Sequence, residues 1–172
     1  MKNFIYVSPN FPANHWNFCD RLKNNGINVL GIGDAPYDEL SDELKNALTE
    51  YYKVGSMENY DEVYRAVAFF TFKYGRIDWL ESLNEYWLPV DARLRTDFNI
   101  AVGTREDRIG SLVRKSLMKR LFIEAGIPTA IVTSSHNKKM DNAWRVHPGL
   151  KEMVTTVLTS EDFSKSKPDP EC

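Results

Sequence analysis

The chain has few of the residues that form disulfide frameworks and zinc sites. Its 172 residues include two cysteines and three histidines, and the histidines share no metal-ligand spacing. Cys172 ends the sequence, so a bridge to Cys19 would restrain little more than a chain end. Reduced thiols in a cytoplasmic protein are the simpler interpretation. We therefore predict no disulfide framework and no metal site.

Long apolar runs and a strong excess of one charge are also missing. No stretch approaches the roughly 20 apolar residues of a membrane helix, and the apolar run at residues 4–7 is too short for a signal peptide. The net charge is −2, so no global field would draw the chain to nucleic acid or to a membrane. These features predict a cytoplasmic protein that binds neither nucleic acid nor a membrane.

What the sequence does have is enough apolar material for a core, arranged in short alternating segments. Hydrophobic residues make up 42% of the chain and aromatic residues 12%. Apolar runs alternate with amphipathic stretches, a pattern typical of parallel sheets covered by helices. The predicted strands cover residues 4–7, 27–32, 51–54, 77–80, 129–133 and 154–159. The predicted helices cover residues 13–24, 41–49, 60–73, 90–97, 107–124 and 138–146. The predicted fold class is α/β: a Rossmann-like parallel sheet with helices on both faces, extended by a short β-α-β piece.

Polar residues follow the predicted strands, where ligands of such sheets usually bind. The candidate substrate contacts in this crevice are Asn10, Asp34, Glu81 and Glu85. Glu81 and Glu85 would orient a substrate amine or a cation, or else they are ordinary loop acids or charges at a helix start. Residues 31–33 read Gly-Ile-Gly and lack the third glycine of a dinucleotide fingerprint, so we interpret them as a tight turn.

Residues 103–127 form a local basic stretch. They hold six lysines or arginines against three acids. Such a stretch suits phosphate groups, and it is also typical of a solvated helix face. The residues alone leave both interpretations open.

Three linked motifs then occupy residues 81–129. They read Glu-Ser-Leu-Asn-Glu-Tyr-Trp-Leu from Glu81, Asp-Ala-Arg-Leu-Arg-Thr-Asp-Phe-Asn-Ile from Asp91, and Lys-Ser-Leu-Met-Lys from Lys115, followed by Ala-Gly-Ile-Pro-Thr at 125–129. Together they resemble ATP-grasp proteins of the carboxylate–amine ligase kind, over about residues 1–129. The resemblance implies a Rossmann-like pre-ATP-grasp domain at 1–104 and a basic helix at 105–128. It also implies ATP with Mg²⁺ as cofactors, and Lys115 as a contact of the ATP phosphates.

The resemblance to ATP-grasp proteins stops after Pro128. That family needs a further β-rich lobe for adenine and a carboxylate cluster for magnesium. The remaining sequence does not follow either part. We therefore expect no complete ligase site, and the binding of ATP and Mg²⁺ that the family implies is in doubt for this chain.

A second pair of motifs occupies residues 129–172. Ile-Val-Thr-Ser-Ser runs from Ile131, and Ser-Lys-Pro-Asp-Pro runs from Ser166. They resemble the β-phosphoglucomutase-like phosphatases among the haloacid-dehalogenase-like hydrolases. The resemblance implies phosphate contacts from Thr133 and Lys167. The nucleophilic aspartate and the magnesium-binding acids of that family have no counterpart, so we expect no phosphatase activity from this chain alone.

The leading hypothesis is a truncated or chimeric ATP-grasp-like protein, joined near residue 129 and inactive alone. Its expected partner is at most a small nucleotide or phosphate ligand. One alternative is a haloacid-dehalogenase-like phosphatase or phosphoglucomutase-type protein without its nucleophile, and another is a non-enzymatic binding module. If residues 129–172 fit poorly on the first sheet, exposed apolar strand faces would favour self-association.

Overall fold

The chain forms an α/β protein of two compact units. The structure, a computed structural model, describes residues 1–165, with the side chain of Ser116 left out. The first unit is Met1–Val113 and the second is Arg114–Cys172. In the described part of the chain, no helix is long and apolar enough to cross a membrane.

The first unit contains a four-stranded parallel sheet in the order β3-β2-β1-β4. Its strands are β1 (Asn3–Val7), β2 (Asn28–Gly33), β3 (Glu50–Lys53) and β4 (Trp79–Glu81). Its helices are α1 (Trp16–Asn24), α2 (Asp42–Ala47), α3 (Tyr60–Tyr74), α4 (Leu88–Asp97) and α5 (Glu106–Val113). The strand order reverses between β1 and β4, which makes their carboxyl ends a topological switch point.

Helices cover both faces of this sheet, as predicted. Side chains alternate along β1, so Ile5 and Val7 pack on one face and Tyr6 on the other. The Ile5 face packs against buried residues of α3 and α4, and the Tyr6 face packs against buried residues of α1 and α2. The sheet therefore lies between two hydrophobic cores, with its carboxyl edge left to the loops.

The prediction of a tight turn at residues 31–33 is wrong, because these residues lie in strand β2. A Cβ on Gly31 would lie 2.9 Å from Leu48 Cδ1, and one on Gly33 would lie 2.6 Å from the Tyr51 hydroxyl oxygen. The two glycines therefore make room for side chains packed on the strand. Sequence alone could not separate this use of glycine from a turn.

The single helix predicted over residues 107–124 is also wrong. The chain breaks at Arg114, whose φ of −100° and ψ of 105° are extended. Helix α5 ends before it and packs against α4, whereas the helix after it belongs to the second unit. The helical spacing of apolar and charged side chains continues across Arg114. The break in the helix is therefore set by tertiary packing and not by local helix propensity.

The second unit is built around the predicted β-α-β piece. Its elements are α6 (Lys115–Glu124), β5 (Ala130–Val132), α7 (Asn137–Val146), α8 (Gly149–Glu152) and β6 (Thr156–Leu158). Strands β5 and β6 run parallel, with Ile131 opposite Val157, and form a two-stranded sheet of their own.

Candidate functional site

The carboxyl edge of the four-stranded sheet carries two unusual backbone positions. Ser8 follows β1 with a φ of 55°, and Leu83 follows β4 with a φ of 53°. Residues other than glycine rarely adopt this left-handed conformation, and such strain clusters at functional sites. Both positions follow strands that meet at the switch point, so the backbone strain lies at this edge of the sheet.

A buried arginine organises the end of β4. Arg95 donates from Nε to the Leu80 carbonyl at 2.9 Å, from Nη1 to the Thr104 carbonyl at 2.8 Å, and from Nη2 to Glu81 Oε2 at 2.6 Å. Burial raises the pKa of Glu81, and the charge of Arg95 partly offsets that rise. Glu81 is therefore held in an ion pair with Arg95, and its predicted role as a substrate contact stays a prediction.

Asp91 is a site residue that sequence reasoning missed. It is fully buried, and its Oδ2 accepts from the Ser82 backbone N–H at 2.9 Å and from Ser82 Oγ at 2.6 Å. Its Oδ1 has no hydrogen-bond partner among residues 1–165. Burial raises the pKa of Asp91 to about 6, although the Ser82 hydrogen bonds and Arg95 both lower it. The signal available in the sequence was the spacing of four between Asp91 and Arg95, which places both on one side of a helix.

Asn10 lines a cleft between the loops that follow β1 and β2. The cleft has a volume of about 320 Å³, and its other lining residues are Ala13, Ala35, Glu39, Leu40, Ser41 and Leu44. Asn10 Oδ1 is buried without a hydrogen-bond partner among the described residues. An unpaired buried carbonyl oxygen costs free energy, and its burial also closes it to a ligand in the cleft.

The other two predicted crevice residues lie elsewhere. Asp34 follows β2 at the exposed surface, where its charge adds to burial in raising the pKa of Tyr51 to about 12. Glu85 is exposed in the turn between β4 and α4. The structure thus places Asn10 in the cleft and Glu81 against Arg95, and it leaves Asp34 and Glu85 at the surface.

The second unit has a cleft of its own around Lys115. Lys115 is the first residue of α6 and is exposed. It lines a space of about 390 Å³ together with Lys119. The remaining lining residues are mostly apolar: Met118, Phe122, Ile127, Pro128, Thr129 and Ala130. Two lysines therefore line a mainly apolar cleft within one unit.

Thr133 lies at the carboxyl end of β5, as predicted. Its backbone N–H donates to the Leu158 carbonyl at 2.9 Å, and its Oγ1 accepts from the Ser135 backbone N–H at 3.1 Å. This is the local geometry of a Ser/Thr turn. Lys167 lies outside the described residues, so the proposed pairing of Thr133 with Lys167 on a phosphate stays a prediction.

Neither cleft offers a magnesium site. Among residues 1–165, no three His, Cys, Asp or Glu side chains are grouped so that they could hold a metal ion. The residues that line the Lys115 cleft include no carboxylate. Magnesium prefers carboxylate and phosphate oxygens, so this lining fits a phosphate group but not the metal.

Comparison with known proteins gives a curated relative and several structural neighbours of part of the chain. No known family model matches the chain. The bifunctional riboflavin kinase/FMN phosphatase of Arabidopsis thaliana is 26% identical over 90 residues, which are 52% of this chain and 24% of that protein. The L-amino acid ligase of Bacillus licheniformis has a TM-score of 0.58 at 16% identity, over 76% of this chain and 32% of that one. The biotin carboxylase domain of a thermophilic 2-oxoglutarate carboxylase bound to bicarbonate has a TM-score of 0.51 at 20% identity, over 74% and 29% of the two chains.

These relatives confirm the two resemblances at a coarse level. The structural neighbours are a ligase and a biotin carboxylase domain, and the curated relative includes an FMN phosphatase. At these identities the structural similarity shows the fold and not an activity. The chain spans between 24% and 32% of the length of each relative.

Proposed function

We propose that this chain is an ATP-grasp-like protein that binds the phosphate groups of a nucleotide at the Lys115 cleft, without a complete ligase or phosphatase site. The observation that carries the proposal is the lining of that cleft, in which Lys115 and Lys119 stand beside apolar side chains. The fold that the chain shares with the two structural neighbours supports the proposal of nucleotide binding.

The chemistry of the lining suits a nucleotide better than an inorganic ion. A lysine ammonium is a compact, mobile charge that donates to phosphate oxygens. The Phe122 ring and the Met118 and Pro128 side chains offer a surface on which a base can pack.

The proposal also assigns a role to each segment of the chain, a cytoplasmic location and self-association. Residues 1–104 would serve as the pre-ATP-grasp domain, 105–128 as the basic phosphate-binding segment, and 129–172 as a partial phosphatase-like segment. The reducing cytoplasm suits the buried free thiol of Cys19. Self-association is part of the proposal, because many large apolar side chains are exposed.

Titration with fluorescently labelled ATP tests the nucleotide site. Lys115→Ala should weaken binding about tenfold, because it removes one charge-assisted hydrogen bond to phosphate. Lys139→Ala is the matched control, since Lys139 lies on α7 and does not line the cleft. Fluorescence anisotropy measures both affinities, and an equal loss in the two variants would contradict the site.

The same protein tests the expected lack of turnover. With ATP, magnesium and mixtures of carboxylates and amines, ADP should not form above the rate without protein. Sustained ADP release that disappears in Lys115→Ala would show a working ligase site and overturn this part of the proposal.

The alternative phosphatase function has one observation in its favour, the curated relative that carries an FMN phosphatase. Thr133 lies at a strand end, where such a phosphate contact is expected. The sequence after the first apolar strand supplies no Asp-x-Asp nucleophile. A role in phosphate binding without hydrolysis, as in a non-enzymatic binding module, is therefore the form of this alternative that we retain.

A further inference from the structure

The charged side chains that line the Lys115 cleft donate hydrogen bonds and cannot hold a metal ion. They are Lys115 and Lys119, and none of the eight lining residues has a carboxylate. A lysine ammonium group has three donors and no acceptor, whereas magnesium needs oxygen ligands and takes carboxylates first. The lining therefore suits phosphate oxygens that carry no metal ion.

The threonine of the lining is already engaged in the fold. Thr129 Oγ1 donates to the Met153 carbonyl at 2.8 Å, and the Thr129 carbonyl accepts from the Thr155 backbone N–H at 2.7 Å. These contacts tie the chain before β5 to the chain before β6. The two lysines are left as the charged groups that can hold a ligand.

The charge around the cleft has one sign. Residues 114–120 contain four bases and no acid, and the next acid is Glu124 at the end of α6. Helix α6 also begins without an acid in its first turn, so the positive end of its dipole is not offset there. Within residues 1–165, the salt bridges involve neither Lys115 nor Lys119. This potential attracts a phosphate group and repels a divalent cation.

A metal ion on the nucleotide would compete with these lysines. Magnesium occupies phosphate oxygens that would otherwise accept from the ammonium groups, and it cancels negative charge that attracts them. No carboxylate of the lining offsets this loss. A ligand that binds the metal in solution and the cleft in its metal-free form is bound more weakly when the metal is present.

We propose that the Lys115 cleft binds nucleotides in their metal-free form, so that Mg²⁺ opposes the binding of a triphosphate. The proposal rests on nucleotide binding at this cleft and defines which nucleotides bind. A monophosphate group carries close to two negative charges near pH 7, and it cannot chelate one ion through two phosphates. The ligand class in excess Mg²⁺ is therefore a nucleoside monophosphate.

Fluorescence anisotropy with ATP and AMP labelled on the ribose, in EDTA and in excess MgCl₂, tests this proposal. The ionic strength is held constant with NaCl, because salt alone screens the lysines. Mg²⁺ should weaken the binding of ATP about tenfold and change that of AMP by less than about twofold. Unchanged or tighter binding of ATP in Mg²⁺ would overturn the proposal. Failure of both nucleotides to bind in EDTA would instead contradict the nucleotide site itself.

Two substitutions on α6 separate the lining of the cleft from the charge of the helix. Lys119→Gln removes a charge of the lining, so AMP should bind about tenfold more weakly. Arg120→Gln removes the charge of an exposed residue that does not line the cleft, and the affinity should stay within about twofold of the original protein. Equal losses would show that the net charge of the helix holds the phosphate, and would overturn the proposal.

A charge reversal supplies the carboxylate that the lining lacks. In Lys119→Glu, Mg²⁺ should strengthen the binding of ATP, because the ion can bridge the new carboxylate and the phosphates. Lys139→Glu is the control on α7, outside the cleft, and Mg²⁺ should still weaken ATP binding there. Weakening by Mg²⁺ in both variants would show that the donors of the cleft do not set the effect of the metal.

Mn²⁺ in place of Mg²⁺ gives a measurement that does not depend on affinity. A paramagnetic ion held in the cleft would broaden the backbone amide NMR signals of Lys119 and Ala130, which line it. With ATP and Mn²⁺, these signals should broaden no more than that of Lys139 in the original protein, and they should broaden selectively in Lys119→Glu. Selective broadening in the original protein would place the metal in the cleft and overturn the proposal.

Discussion

At the scale of single residues, Gly103 is a position with little room for a side chain. It has a φ of 92°, and a Cβ there would lie 2.6 Å from Arg95 Nε and 2.9 Å from Arg95 Cζ. The Arg95 guanidinium cannot move aside freely, because it is buried and bound to Glu81, Leu80 and Thr104. Gly26 offers the contrast, with a φ of 74° and no atom within 4 Å of its Cβ position.

Substitution of these two glycines separates backbone strain from steric conflict. Gly26→Ala should cost about 1 kcal/mol, since only the left-handed conformation is disfavoured. Gly103→Ala should cost about 2–4 kcal/mol, because it also displaces a buried, hydrogen-bonded guanidinium. Urea unfolding followed by circular dichroism measures both. Equal losses would show that Arg95 adapts without cost.

The same residues show how far sequence could predict the site. Asn10 and Glu81 were placed at strand ends from the alternation of apolar runs, and both lie there. The ion pair of Glu81 with Arg95 joins residues 14 positions apart and depends on how α4 packs beside β4. No local pattern contains that packing, so the sequence alone predicts Glu81 as a ligand contact and not as the partner of Arg95.

At the scale of elements, α4 is fixed to the end of β4 by Asp91. This carboxyl group receives both hydrogen bonds from Ser82, which directly follows the strand. Burial raises the pKa of Asp91 from 3.8 to about 6. The folded state therefore holds this proton more tightly than the unfolded state. Stability from this group is complete below pH 4 and is lost as the pH rises to about 6, by about 3 kcal/mol at most.

Asp91→Asn should remove this dependence, because the amide oxygen still accepts from Ser82 but does not titrate. The free energy of unfolding, measured in urea between pH 4 and 7.5, should fall with pH less steeply in the variant than in the original protein. Asp97→Asn is the control, since Asp97 is exposed and receives a hydrogen bond from Tyr60. Parallel profiles for the original protein and Asp91→Asn would contradict the assignment.

Element prediction succeeded where an element had to bury one face. The strand predicted at 27–32 is β2, and the helix predicted at 60–73 is α3, since each has a regular apolar pattern and a clear end. Gly75, with a φ of 83°, ends α3 as expected of a helix C-cap. The break at Arg114 has no glycine or proline to mark it, so it could not be predicted from local signals.

At the scale of the whole molecule, the two units differ in how much apolar surface they bury. Every buried hydrophobic residue in the described part of the chain lies between Ile5 and Ile109. In the second unit, Leu121, Ile123 and Ile127 are 45%, 47% and 50% exposed. The sequence predicts a change of resemblance near residue 129, whereas the compact units divide at Arg114, so the predicted family boundary and the packing of the chain do not coincide.

The free energy of folding should therefore reside mainly in the first unit, since burial of apolar surface is the dominant favourable contribution. A fragment of residues 1–113 should unfold cooperatively in urea, with a midpoint close to that of the main transition of the full chain. Limited trypsin digestion of the full chain should cut first after basic residues beyond Val113, such as Arg114 and Lys115, and leave a resistant fragment of the first unit. Mass spectrometry identifies the cuts. Early cleavage within residues 1–113, or an unfolded fragment, would show that the first unit needs the second in order to fold.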